Sequence, residues 1–168
     1  MTRTAYTTTD LWKVLGINID KCKDWLKKGY IKPNLGAADG RGTKNLFSLY
    51  DLYAIGLFQE LVAKGFPRKQ ASSQTQKIAR RLGSSGMQDR WLRAEYVAFY
   101  LKGKTDIDAS SSGEVGMMTI DVDENINGED YNGKVNFNEL NILEDNENAT
   151  VLLINFRGLR EKIDNKLR

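Results

Sequence analysis

Two short amphipathic segments that meet at a glycine turn constrain the fold of this chain more than any other feature of its sequence. Gly16 is expected to end the first helix after barely two turns, and Asn18 is suited to cap a second helix that ends at Gly29. Two helices of this length joined by a turn of about three residues form a helix-turn-helix. The spacing therefore predicts this motif near the start of the chain.

Apolar spacing predicts which face of each helix is buried. Thr8 or Thr9 can cap the first helix, which is expected to start near Asp10. The residues expected to face the core are Leu11, Val14 and Leu15 in the first helix and Ile19, Cys22, Trp25 and Leu26 in the second. The second helix then presents a charged outer face, formed by Asp20, Lys21, Lys23, Asp24, Lys27 and Lys28.

A glycine-rich basic loop and two longer helices follow. Pro33 prevents further helix, and residues 36–45 predict a turn-rich hairpin whose tip carries Arg41 and Lys44. The next helix opens on a capping box and runs to the glycine at 65, and a proline at 67 opens a fourth helix that ends at 82. The box is formed by Ser48 and Asp51.

The first 75 residues or so resemble the MerR-type winged helix-turn-helix, a fold shared by bacterial transcription regulators, phage excisionases and some chromosome-anchoring or terminase proteins. The matching motifs, in chain order, are Tyr6-Thr7, Ile17-Asn18-Ile19, Gly29-Tyr30-Ile31-Lys32-Pro33, Gly40-Arg41-Gly42, Phe47-Ser48 to Asp51-Leu52, and Leu61 to Gly65-Phe66. The resemblance implies that the second helix binds in the DNA major groove and that the wing contacts the DNA backbone.

The chain departs from this family on the recognition helix itself. The family usually has arginine-tyrosine-tyrosine there, and its arginine and first tyrosine touch DNA, whereas this chain has Lys23, Asp24 and Trp25. Lys23 can still neutralise a phosphate as a point charge. Asp24 is repelled by phosphate but can accept a hydrogen bond from a cytosine amino group. Trp25 is expected in the core.

The predicted interface has two kinds of contact. Phosphate contacts are expected from Lys21, Lys23, Lys27, Arg41 and Lys44. Base edges are expected to meet Asn18, Asp20, Lys21 and Asp24, and the full predicted set adds Thr8 and Lys28. The alternative is that these lysines are solvated side chains on a surface helix.

The second half predicts a small β-rich domain after a linker at 83–90, so that the whole chain is α+β, with domains at 1–82 and 91–168. Alternation from Trp91 to Leu101 predicts a strand with Leu92, Ala94, Tyr96, Ala98 and Tyr100 on one apolar face. Further strands are expected at 115–122 and 151–156, before an amphipathic helix carrying Leu159, Ile163 and Leu167. MerR-type regulators generally dimerise through a coiled coil after the fourth helix. No heptad run follows here, so a homodimer is expected to form through this second domain.

One acidic run resembles the back of an EF-hand loop, at residues 128–140. With Gly133 at the sixth position, Asp130, Asn132 and Glu139 fall on ligand positions, but Gly128 stands where an aspartate belongs. The favoured interpretation is a β-hairpin turning at Asn132-Gly133.

The amino-acid composition limits the classes of function expected of this chain. Residues through Arg90 carry 16 basic and 7 acidic side chains, and those from Trp91 onward carry 9 basic and 15 acidic ones. This division is expected of a DNA-binding domain joined to a domain that does not bind DNA. The chain has no histidine and a single cysteine, Cys22, so neither an enzyme, nor a metal site, nor a cofactor is expected. Neither a signal peptide nor an apolar run long enough to span a bilayer is evident, which predicts a soluble cytoplasmic protein without a membrane partner.

These features predict a non-enzymatic, sequence-specific regulator of transcription that binds double-stranded DNA as a homodimer, with the acidic half assembling the dimer or sensing an effector. Two alternatives stay open. One is an architectural factor of the excisionase or chromosome-anchoring kind, which bends DNA without controlling a promoter by itself. The other is a protein-interaction module that keeps the helix-turn-helix fold.

Overall fold

In the computed structural model the described residues are 5–40, 42–86, 88–102, 114–120 and 150–168. The described elements run in the order α1 Thr8–Leu15, α2 Ile19–Lys27, α3 Leu49–Ala63, α4 Arg68–Leu82, α5 Gln88–Arg93, β1 Tyr96–Lys102, β2 Glu114–Ile120, β3 Thr150–Asn155 and α6 Phe156–Leu167. Helices thus dominate the first half and a small sheet the second, as the predicted α+β class requires. The EF-hand-like run at 128–140 lies outside the described residues.

The first helix begins earlier than predicted, because Thr7 rather than Thr8 or Thr9 caps it. The backbone N–H and the hydroxyl of Thr7 donate to the Asp10 carboxylate at 2.7 and 2.8 Å, so that Asp10 occupies the third helical position. The helix ends as predicted at Gly16, whose φ of 70° is in the left-handed region that favours glycine. A turn of three residues, 16–18, then leads into α2.

Asn18 caps α2 as predicted, since its side-chain oxygen accepts from the Asp20 N–H at 2.8 Å. Cys22 and Trp25 face the core, with 0% and 2% of their surface exposed. The prediction for Ile19 is wrong, because 36% of its surface is exposed. Ile17 of the turn is buried instead, which leaves the first residue of the helix outside the core.

The capping box of α3 is present. Ser48 N–H donates to the Asp51 carboxylate at 2.8 Å, and Asp51 N–H donates to the Ser48 hydroxyl at 3.1 Å. Asp51 is buried and also accepts from the Asn34 N–H at 3.2 Å, so that one carboxylate joins the start of α3 to the segment after α2. Pro67 immediately precedes α4, whose predicted end at Leu82 is confirmed.

The prediction of a strand from Trp91 is wrong for its first residues, which belong to α5, and β1 begins only at Tyr96. The predicted apolar face is also incomplete. Val97 and Phe99, on the opposite face of the strand, are fully buried. The ring of Phe99 packs on Phe66, which precedes α4, with ring centroids 6.2 Å apart. That contact buries the Val97 and Phe99 face against the segment between α3 and α4, and Ala98 of the predicted face is fully buried as well.

The three described strands form an antiparallel sheet in the order β2-β1-β3. Val97 in the central strand lies opposite Thr119 on one side and Ile154 on the other. The strands predicted at 115–122 and 151–156 correspond to β2 and β3, and residues 121 and 122 lie outside the described part of the chain. The terminal helix predicted from leucine and isoleucine spacing is α6.

The hydrophobic core continues across the boundary predicted between residues 82 and 91. The ring of Phe156, at the start of α6, lies edge-on to Tyr53 of α3 and to Trp91 of α5, with centroids 6.4 Å apart in both cases. The α3 helix packs closely against α6 at Gly56, where an added Cβ would lie 3.3 Å from Ile163 and from Leu159. The two predicted halves thus share a core in the described part of the chain.

Candidate nucleic-acid interface

The helix α2 has one face committed to the core and one left to solvent. The indole of Trp25 packs edge-on against Phe58 of α3, with ring centroids 4.8 Å apart. Burial raises the pKa of the Cys22 thiol to about 11, so the thiol is protonated at neutral pH and serves as a packed apolar group. The charged residues of the helix are thereby directed outward.

Two ion pairs lie on this outer face of α2. The Lys23 ammonium lies 3.7 Å from the Asp20 carboxylate, and the Lys28 ammonium lies 2.9 Å from the Asp24 carboxylate. All four side chains are at least 45% exposed, and exposed pairs of this kind contribute only about 0.2–1 kcal/mol each. Either lysine can therefore exchange its aspartate for a phosphate at little cost.

Lys21 and Lys27, the remaining lysines of this face, have different surroundings. The Lys21 ammonium lies 4.9 Å from the centre of the Trp25 ring, a cation–π contact that holds it close to the helix. Lys27 is exposed, and no ion pair involves it within the described residues. Four lysines against two aspartates leave the outer face of α2 with a positive balance.

In its described residues the predicted hairpin is a loop with one antiparallel bridge, between Gly36 and Leu46. Inside it, Ala38 N–H donates to the Asn45 side chain at 3.0 Å. Gly40 and Gly42 have φ angles of 90° and 93°, which only glycine adopts without strain. These contacts give the loop a defined course without regular strands.

The predicted site residues divide between elements. The residues from Asp20 to Lys27 share α2 and Lys28 is its C-cap, while Asn18 lies just before the helix, with its side-chain oxygen used in capping. Lys44 is exposed on the loop, whereas Arg41 lies outside the described residues. Thr8 is the first residue of α1 and is half-buried. The structure therefore brings the α2 residues onto one helix, and no hydrogen bond or ion pair described here joins them to Thr8 or Lys44.

Two residues that position α2 were not predicted from the sequence. Ser72 of α4 donates its hydroxyl to the Tyr30 carbonyl at 2.8 Å, and the Gln76 amide donates to the Gly29 carbonyl at 3.1 Å. The Gln76 amide also donates to Ser72 at 2.9 Å. Their spacing of four residues is the only signal in the sequence, and it equally suits a solvated helix face.

No protein-family model matches the chain, and a search of curated proteins finds no significant match. None of the described helices has the length and apolar character needed to cross a membrane. The candidate function is therefore argued from the chemistry of the surface around α2.

Proposed function

We propose that the protein is a sequence-specific DNA-binding regulator of transcription with a MerR-like winged helix-turn-helix, in which α2 enters the major groove and the loop at 36–45 contacts the DNA backbone. The protein is not an enzyme, and it acts as a homodimer assembled by its second half. The resemblance of the first 75 residues supports this proposal, as does the division of the chain into a basic and an acidic half.

The observation that carries the proposal is the outer face of α2. A helix whose opposite side is anchored by Cys22 and Trp25 presents four lysines and two aspartates to solvent. The major groove of B-DNA is wide enough to admit such a helix. Because lysine–phosphate contacts release counterions, a face of this charge favours binding to a duplex.

The residues of α2 take different roles in this proposal. Lys21, Lys23 and Lys27 contact phosphates and set the register of the helix, together with Lys44 on the loop. Asp20 and Asp24 present acceptors that suit the amino group of cytosine. The pairing of Asp24 with Lys28 lowers the repulsion that its bare carboxylate would experience near the backbone.

The salt dependence of binding to a random duplex tests this proposal. We expect the logarithm of the association constant to fall linearly with the logarithm of salt concentration. Replacing Lys27 with glutamine should flatten that slope by about one. The matched control is Lys77→Gln, since Lys77 is exposed on α4 and is not one of the predicted DNA contacts.

Two results would argue against DNA binding through α2. The absence of binding even at low salt would favour a protein-interaction module. Equal effects of Lys27→Gln and Lys77→Gln would show that α2 is not the contact surface.

A further inference from the structure

A cleft between the first and last described helices has no role in the function proposed above. It has a volume of about 830 Å³ and lies between the end of α1, the start of α3 and the end of α6. Clefts that bind small molecules generally measure about 300–1,000 Å³. The cleft is therefore large enough for a compact organic ligand.

The acidic and basic groups that line the cleft differ in the contacts they make with the protein. The Asp10 carboxylate accepts two hydrogen bonds from Thr7, and the Asp164 carboxylate accepts one from the Tyr53 phenol at 2.6 Å. Both acids thus have protein donors.

The cations that line the cleft are less engaged. The Lys166 ammonium donates to the neutral carbonyl of Val14 at 2.9 Å, which leaves its charge uncompensated by that contact. Lys13 and Arg168 are exposed, and within the described residues neither takes part in an ion pair. Among the described side chains that line the cleft, three cations stand against two hydrogen-bonded acids, a balance that favours an anion.

The rest of the lining is apolar or aromatic. Leu49 and Leu167 are only partly buried and supply the accessible aliphatic surface, whereas Val14 and Tyr53 are only 6% and 4% exposed. Sites for small organic ligands typically combine apolar surface with a few polar groups that fix orientation. An inorganic anion would leave this apolar lining unused.

The geometry points to this cleft as a binding site for a small organic anion with an apolar body, of the aromatic carboxylate class. The carboxylate of the ligand meets Lys13, Lys166 and Arg168, and its ring lies against Leu49 and Leu167. Such a ligand contacts both α1 and α6, and its binding does not depend on the proposed function, because no DNA contact is involved.

Titration of the full chain, labelled with nitrogen-15, with benzoate tests the inference by NMR in the absence of DNA. We expect saturable shifts of backbone amides in α1 near Val14, in the first turns of α3 and at the end of α6. Benzyl alcohol, which has the same ring without the charge, should bind more weakly. The double variant Lys13→Gln/Arg168→Gln should weaken benzoate binding about three- to tenfold, the range expected for two exposed cations.

The control is the double variant Lys69→Gln/Lys77→Gln, which removes two exposed cations of α4 that do not line the cleft. It should bind benzoate like the unchanged protein. The inference is overturned if benzoate causes no saturable shifts at the cleft, if benzyl alcohol binds equally well, or if both double variants weaken benzoate binding to the same extent. Failure of DNA binding would leave all these outcomes unchanged, so the two proposals are tested separately.

Discussion

The phenol of Tyr53 donates a hydrogen bond of 2.6 Å to Asp164, which joins α3 to the last helix across 111 positions of the chain. Two further hydrogen bonds hold α6 against the rest of the fold. Lys166 donates to the Val14 carbonyl in α1 at 2.9 Å, and Arg160 donates to the Ala94 carbonyl before β1 at 3.1 Å. Because α1 leads directly into the turn before α2, the contact between Lys166 and Val14 connects α6 through α1 to the helix proposed to bind DNA.

Replacing Tyr53 with phenylalanine should lower the free energy of unfolding by about 1–2 kcal/mol, since it removes a hydrogen bond to a carboxylate and keeps the ring. Urea denaturation monitored by circular dichroism measures the change. Tyr96→Phe is the matched control, because no described hydrogen bond involves the Tyr96 hydroxyl. Equal stability of Tyr53→Phe and the unchanged protein would mean that this contact contributes nothing to the docking of α6.

Replacing Gly56 with leucine should destabilise the protein by at least about 2 kcal/mol, because a side chain there must displace Ile163 and Leu159 and force α3 from α6. The loss should exceed the gain of about 1 kcal/mol in helix propensity over glycine. Ala63→Leu, at an exposed position of the same helix, serves as the control and should change stability little. Thermal unfolding compares the two, and similar melting temperatures would contradict the close packing.

Alkaline pH should destabilise the fold through two buried groups. Burial raises the pKa of the Cys22 thiol from 9.0 to about 11. Burial, followed by the hydrogen bond to Asp164, raises the pKa of the Tyr53 phenol as well. Each group therefore contributes stability that is fully present below its unfolded pKa and is lost as the pH rises through its folded pKa.

For Cys22 this window runs from pH 9.0 to about 11, so the loss of stability should be concentrated between these two values. Denaturant midpoints measured across this range should fall more steeply for the unchanged protein than for Cys22→Ala, which has no thiol to ionise. Parallel pH profiles for the two proteins would show that ionisation of this thiol does not oppose folding.

Local signals predicted the helices of the first half well, because their ends depend on neighbouring residues. Gly16, Asn18 and the Ser48–Asp51 pair each define a helix end through contacts within four residues. The spacing of apolar residues was a poor guide where packing between elements determines which residues are buried. Ile17 rather than Ile19 is buried, and β1 is buried on the predicted face at Ala98 and also on the opposite face, where the rings of Phe66 and Phe99 pack together.

The long-range contacts had no signal in the sequence. The approach of Gly56 to α6 and the pairing of Tyr53 with Asp164 depend on how distant elements pack. Of the candidate interface, the residues on α2 could be predicted because a helix with a defined inner face also defines its outer face. The support that Ser72 and Gln76 give to the end of that helix could not, since it requires the fold of α4 against it.

Replacing Asp24 with asparagine should increase affinity for a random duplex several-fold at low salt. The substitution removes a charge that phosphates repel and releases Lys28 from its 2.9 Å ion pair. Fluorescence anisotropy with a labelled duplex measures the effect. Glu60→Gln, a charge removal of equal size on α3, is the control, and a gain of the same size in both variants would indicate a general charge effect and not a contact made by α2.

Selection of bound sequences from a pool of random duplexes tests the central claim most directly. We expect the full chain to enrich a defined motif, arranged as an inverted repeat whose half-site spacing reflects a homodimer. Exchanging Asp24 for asparagine should alter the preferred base at one position of each half-site, from cytosine towards adenine. A pool that remains featureless after repeated rounds would contradict sequence-specific recognition by α2.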